Sequence, residues 1–448
     1  MAVPEPSSAV FAAQEGNIVE PLVDGGVAFD RIATAVENAG TSVAVCVAFL
    51  EISAVFPNGR GTFFDLLDQA AARGVQVKVL MWDPQGPAAE AEDTLCADEK
   101  TAQLLASRDT QWQMRWDSAG QFCQHQKVWL VDAGTPQEAA FVGGINIGQG
   151  SMAGPQHLEQ SFGQRNEQYG NVHDVHCLLK GPAATDVHSN FVQRWNGASE
   201  QNRPFGYWPP AGTVDLPEPT VRSAPAGYTR AQITRSVLPG LYQSLPTGEN
   251  SMRQQYLEAL ASAQQYVYLE NQILLSQACL TVLHEVLERG VSVFALAPGV
   301  PMKELAAAQA HPGIAAGFDA LAACGRYPNF CLAAPAALRS WGYEDIYVHS
   351  KTAIIDDQWA TIGSTNLIFT SFQGDTEMNV SFWDAALVRD YRVQLVDEQT
   401  GSSSAELSGR EAIENLTLVA RANALRKEHG KPLVGYAAAL DPATWARN

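Results

Sequence analysis

The chain has 448 residues, with 48 acids against 29 bases (net charge -19), 46% hydrophobic and 17% charged residues. That composition excludes a disordered chain. It also argues against a protein that grips a polyanion along its length, or one that docks electrostatically on an anionic membrane, since either needs a basic footprint.

The opening M-A-V-P-E-P-S-S-A-V-F-A-A-Q-E shows neither the basic segment nor the sustained apolar core of a signal peptide. No apolar run reaches membrane-spanning length, and the seven cysteines contain no C-x-x-C pair. The expectation is a cytoplasmic protein with free, buried thiols, or one exported by a specialised route.

In chain order, F-D-R-I-A-T-A-V-E-N-A-G predicts a helix with Phe29, Ile32, Ala33 and Val36 on one face. T-S-V-A-V-C-V-A-F predicts a buried strand, T-F-F-D-L-L-D-Q-A-A-A-R-G a helix ended by Gly74, and V-Q-V-K-V-L-M-W the next strand. R-P-F-G-Y-W-P-P-A-G-T-V-D-L-P-E-P then reads as a linker; its Phe205, Tyr207 and Trp208 either pin it to the body or dip into lipid. Helix, strand, helix, strand follow again in M-R-Q-Q-Y-L-E-A-L-A-S-A, Q-Y-V-Y-L-E-N-Q, C-L-T-V-L-H-E-V-L-E-R-G and V-S-V-F-A-L-A-P. The Ala-rich stretch from Lys303 to Gly325, broken by Pro312, predicts helices near a cleft mouth. The order implies a duplicated α/β domain, α/β/α sandwiches with mixed sheets related by a pseudo-twofold. We place the halves at 1–203 and 229–448, with 204–228 as linker, in a monomer.

Each half carries the same short constellation. Q-H-Q-K-V-W-L-V-D leads to V-G-G-I-N, and V-H-S-K-T-A-I-I-D-D leads to I-G-S-T-N. One H-x-K-x4-D occurs by chance in roughly one chain in twenty, but two copies, each with its Gly-x-x-Asn, in at most about one in a hundred. On a strand, His349 and Lys351 project from one face, as do His125 and Lys127. If the halves share a cleft, Lys127 and Lys351 neutralise a phosphodiester's non-bridging oxygens while Asn146 and Asn366 donate to them. Such fixed donors need no divalent metal. His173 and His176, three apart on a strand, face opposite ways, so neither a metal site nor a cofactor is expected. Two histidines allow one to attack phosphorus and the other to act as acid, then base. Asp132 and Asp356, seven residues beyond their histidines, lie roughly 20 Å away along an extended strand and are expected to bond turn backbone.

These motifs, with S-F-Q-G-D-T-E-M-N after the second, resemble the phospholipase D superfamily and its phosphatidyl-transferring branch. The resemblance implies phospholipase D-type hydrolysis of glycerophospholipids, or transfer to an alcohol, through a phosphohistidine. The alternatives are a nuclease or other phosphodiesterase on the same scaffold, and a lipid-binding protein with a dead site. The last is disfavoured because both His/Lys/Asn sets are intact. The partner implied is a phospholipid at a membrane or micelle surface, with no nucleic acid expected. By resemblance His125 is the nucleophile and His349 the acid/base; the local sequence does not separate them. Asp174 and Glu377 match the acids that orient such histidines, with Glu167 an alternative. Gly144, where many members carry Ser, its counterpart Ser364, and Glu270 and Asn271 of Y-L-E-N-Q are candidate cleft residues. Arg194 and Trp195 are expected to pack and pair. L-I-F-T-S-F after Asn366, with Thr370 where Arg is common, implies an apolar approach suited to lipid.

Overall fold

A computed structural model describes residues 3–83, 94–158, 170–199, 201 and 204–446. The first half runs β1 (Gln14–Val23), α1 (Gly25–Glu37), β2 (Ser42–Val47), α2 (Phe63–Ala72), β3 (Gln76–Trp82), α3 (Glu99–Ser107) and β4 (Gln113–Asp117). It continues with β5 (Lys127–Val131), β6 (Ala139–Gly143), β7 (Val172–His173), β8 (Val175–Lys180), α4 (Ala184–Ser199) and β9 (Tyr207–Trp208). The second half opens with β10 (Thr229–Val237), β11 (Glu249–Asn250), α5 (Ser251–Ser262), β12 (Tyr266–Asn271), α6 (Gln277–Glu288), β13 (Ser292–Leu296), α7 (Lys303–Ala307) and α8 (Pro312–Cys324). Then come β14 (Phe330–Arg339), β15 (Gly342–Asp345), β16 (Tyr347–Val348), β17 (Lys351–Ile355), β18 (Trp359–Gly363) and α9 (Phe369–Gln373). The chain closes with β19 (Glu377–Trp383), α10 (Ala385–Thr400), α11 (Gly409–Glu428) and β20 (Ala437–Leu440).

The duplication is a matter of strand order. The first sheet reads β1-β8-β6-β5-β2-β3-β4-β9, and the second reads β10-β19-β18-β17-β12-β13-β14-β20. Within these two sheets, among the described residues, the pairs β2–β3, β3–β4, β12–β13 and β13–β14 are parallel and the rest antiparallel, so each sheet is mixed, with matching positions and directions. β1 pairs antiparallel with β10, which joins the two sheets at their equivalent edges.

Local sequence explains the units. On α1, Phe29, Ile32, Ala33 and Val36 are fully buried, one apolar stripe at helical spacing. Thr62 and Asp65 form a capping box at the start of α2, and past its end Gly74 takes φ +88, which a side chain would disfavour. Pro312 stands at the first position of α8, where its missing N–H is not needed.

Each half has its own outer core, and a third, central core draws on both. Val128, Ala140, Phe191 and Trp195 share it with Ile354, Ile362, Tyr391 and Leu416. Burial of that shared layer is what fixes one half against the other.

The linker aromatics resolve differently from one another. Tyr207 and Trp208 form the edge strand on β4; Arg115 lies over the rings of Trp195 and Tyr207, and Trp208 Nε1 donates to the Thr110 carbonyl. Those two pin the segment, and the lipid reading is left with Phe205, half exposed. All seven cysteines are free. No helix among the described residues is long and apolar enough to cross a membrane.

Candidate active site

The two motif histidines stand just ahead of β5 and β17, not within them. Each is stitched to the other half. The His125 N–H donates to the Thr376 carbonyl (2.9 Å), beside Glu377 at the head of β19. The His349 N–H donates to the His173 carbonyl (2.8 Å), beside Asp174. β16 extends this seam by pairing with β7.

The side chains cross in the same way. His125 Nδ1 lies 3.0 and 3.1 Å from the two carboxylate oxygens of Glu377 and 3.0 Å from the Ser364 carbonyl. All three are acceptors, so Nδ1 carries the proton and Nε2 keeps its lone pair. His349 Nδ1 donates to Asp174 Oδ2 at 2.6 Å, with the same result. Each histidine of one half is therefore oriented by a carboxylate of the other. The rings keep 10% and 13% of their side-chain surface accessible, an open edge beside fully buried acids.

Burial works against the Asp174 carboxylate, yet its pairing with His349 and the nearby Lys351 hold it below its ordinary pKa. Burial and Lys351 push His349 down to about 3, against the pull of Asp174, so the ring is neutral at rest. Lys127 Nζ donates to the carbonyl of His125 (2.7 Å), and Lys351 Nζ to that of His349 and to Gln272 Oε1 (3.0 Å). Burial lowers both lysines, and with Lys127 close by Lys351 falls to about 7. Asn146 and Asn366 each leave Oδ1 buried without a partner, so neither amide is committed to the protein through that atom.

The remaining expected site residues are supports. Asp132 accepts from the backbone N–H groups of Gly40, Thr41 and Ser42, and Asp356 from those of Gln264, Gln265 and Tyr266. Ser364 is fully buried; its hydroxyl donates to Glu377, which corrects its placement in the cleft. Asn271 is corrected likewise: it braces the second Gly-Ser-Thr-Asn loop by donating to the Thr365 carbonyl and accepting from Leu367 N–H. Glu270 is fully buried and accepts from Tyr268 and His173. The neighbour Gln272 is what reaches Lys351. Arg194 pairs with Asp117 and Trp195 is buried. Glu167 lies outside the described residues.

One further expectation fails. Leu367, Ile368 and Phe372 are buried in the second half's outer core; within this stretch only Phe369 and Thr370 stay partly accessible. The L-I-F-T-S-F stretch therefore supplies little apolar approach. Apart from these, Asp24, His157, His173 and Glu398 place ligand-type atoms within 4.8 Å of one another, a group that could hold a metal ion. They come from four separate segments, so no local spacing announces them.

Gly144 has a particular role. It donates its N–H to the Val175 carbonyl (3.0 Å), as Ser364 does to that of Met378 (3.0 Å), so the two positions are equivalent. A Cβ at Gly144 would stand 2.3 Å from Asp174 Oδ1. Gly144→Ser should therefore push Asp174 off His349 and lower kcat by about a hundredfold, since ångström misplacements cost that much. Assay of a chromogenic phosphodiester beside a melting curve checks it. Unchanged kcat in a folded variant would mean that Asp174 does not need its present place.

Residues 33–282 match the family model described as phospholipase D, and residues 256–397 one described as cardiolipin synthase, PLD-like domain. Over 395 residues the chain is 23% identical to cardiolipin synthase 1 of Staphylococcus aureus, covering 87% of the chain and 68% of that protein. It is 24% identical over 450 residues to phospholipase D alpha 1 of Carica papaya, covering 72% of the chain and 55% of that protein. In fold it is similar to the phosphatidylserine synthase of Haemophilus influenzae, with a TM-score of 0.56 at 13% identity across 96% of this chain and 98% of that one.

Proposed function

The chain belongs to the phospholipase D family, and on that footing we propose that it cleaves the head-group side of a glycerophospholipid's phosphodiester through a phosphohistidine. Water or an alcohol then takes the phosphatidyl group. The observation that carries the reading is the pair of crossed His–carboxylate contacts with two buried lysines beside them. The names of the relatives support a phospholipid substrate, and the net charge of -19 weighs against a nucleic acid.

In the first step His125 Nε2 attacks phosphorus in line, and the bond from phosphorus to the head-group oxygen breaks. His349, protonated, gives its proton to that oxygen. His349 is neutral in the resting site, and the anionic phosphodiester favours its protonation by offsetting the two lysines. In the second step neutral His349 takes the proton of water or alcohol as its oxygen attacks phosphorus and releases His125. Lys127, Lys351, Asn146 and Asn366 hold the non-bridging oxygens throughout. Glu377 and Asp174 keep each ring in one tautomer.

Incubating the protein with a mixed lipid extract, with and without ethanol, should yield phosphatidic acid and phosphatidylethanol by mass spectrometry. Cleavage of oligonucleotides with no lipid product would overturn the substrate class.

The lysines give a pH signature. A bound anion stabilises charged Lys351 and so raises its pKa above the free value of about 7. Binding is then at full strength below pH 7 and weakens above it, by about tenfold per pH unit until the bound-state pKa is reached. Sulfate, whose charge is constant in this range, is the probe: its inhibition constant should rise with that slope. Lys351→Met should bind sulfate weakly with no slope. A flat profile in the unmodified protein would place Lys351 away from the anion.

A further inference from the structure

Behind the crossed pair formed by Asp174 and His349 lies a second cluster that the proposed reaction does not use. Asp24 precedes α1, His157 follows the turn after Met152, His173 ends β7, and Glu398 lies on α10 of the other half. Asp24, His157 and His173 are buried to within 1%, and the Glu398 side chain is 8% exposed.

The facing atoms form a tight set. His173 Nδ1 lies 2.9 Å from Asp24 Oδ1 and 3.1 Å from Glu398 Oε1. His157 Nε2 lies 3.2 Å from Glu398 Oε1 and 3.7 Å from Asp24 Oδ1. Four ligands at 2.0–2.1 Å around a tetrahedral ion are separated by about 3.3 Å, and the four distances bracket that value.

The outward nitrogens are also placed as metal-bound histidines require. His173 Nε2 lies 3.1 Å from Glu270 Oε2, and Glu270 itself accepts from the Tyr268 hydroxyl. His157 Nδ1 lies 3.0 Å from Asn171 Oδ1. Asn171 Nδ2 donates to the carbonyls of His157 and Leu158, which fixes its oxygen as the atom facing the ring. With both outward nitrogens donating to acceptors, neutral rings would turn inward lone pairs toward the two carboxylates. One shared cation satisfies all four.

Asp24 adds an independent observation. It stands at the N-cap of α1, where an aspartate ordinarily accepts helix N–H groups, yet its side chain makes no capping bond. Its backbone is held at φ 67, and its Oδ2 is buried without a partner. His157 too has positive φ, at 41. Strain at two of four ligands, and a carboxylate withdrawn from capping, are what a site built for something else looks like.

We propose that Asp24, His157, His173 and Glu398 bind one first-row divalent ion, zinc by its preference for imidazole and carboxylate in a closed tetrahedron. Four protein ligands leave no open position, so the ion is structural. It ties α10 to the first half, and it steadies Asp174, which is adjacent to His173 and whose carbonyl accepts the Asp24 N–H (2.8 Å).

Tag-free protein from zinc-supplemented medium should hold about one zinc per chain by plasma mass spectrometry, falling below about a tenth in His157→Asn and Glu398→Gln. Protein stripped by chelator should bind Co2+ with the intense visible absorption of tetrahedral cobalt, displaced by Zn2+, and should melt higher with Zn2+ than without. This titration uses the unmodified chain, so it decides the matter even if the variants fail to fold. Metal retained in both variants would place it elsewhere, and stripped protein with no cobalt spectrum would leave two protons in the ion's place. Either result overturns the proposal without touching the function proposed above.

Discussion

Turnover should fall on the order of 10⁴-fold in either His125→Ala or His349→Ala, with the melting temperature nearly unchanged. Both rings keep an open edge, and the carboxylates they leave keep other donors, the Ser364 hydroxyl for Glu377 and the Val175 N–H for Asp174, so little is lost with either. The double variant should be about as slow as each single one. Groups that act as a unit lose their effect together, and the lysines and asparagines that remain still bind the phosphate. Steady-state rates with a chromogenic phosphodiester measure all three. Losses that multiply in the double variant would mean that the histidines work in separate sites.

The crossed acids should separate the two steps. Glu377 orients His125, and Asp174 orients His349, across the two halves. Glu377→Gln should therefore slow formation of the covalent intermediate. With a nitrophenyl phosphodiester, whose leaving group needs no proton from His349, Asp174→Asn should slow chiefly its breakdown, so that the intermediate accumulates. Each should cost on the order of 10²- to 10⁴-fold, the range for losing the partner that fixes a histidine tautomer. Rapid-quench measurement of the burst and the steady-state rate resolves the steps. Pairing within each half would give the opposite phenotypes.

The motifs were legible because the sequence repeats them: His, Lys and Asn recur at nearly the same spacing after the same helix and strand order. The identical strand order of the two sheets follows from that repetition. Legible too was the role of distance, since Asp132 and Asp356 lie too far along a strand to reach the rings. What the chain order conceals is the crossing. Whether Asp174 serves His125 or His349 depends on how two sheets pack through a shared core, and no local pattern carries that. The same holds for Asp24, His157, His173 and Glu398, which only the fold assembles. Leu367, Ile368 and Phe372 misled for another reason: an apolar run beside a site reads alike whether it lines a cleft or fills a core. Glu270 and Asn271 likewise end a strand near the site but face inward, and their neighbour Gln272 faces the lysine.

The central claim, a phosphohistidine formed at one site built from both halves, is tested most directly by intact-protein mass spectrometry of the two histidine variants. The substrate should be a nitrophenyl phosphodiester, whose leaving group needs no proton. His349→Ala should then acquire a stable phosphoryl adduct that peptide mapping places on His125, because the base that activates water is gone. His125→Ala should acquire none. An adduct on His349 in the His125→Ala protein, with none in the converse variant, would reverse the roles, and the absence of any adduct in both would contradict the covalent mechanism.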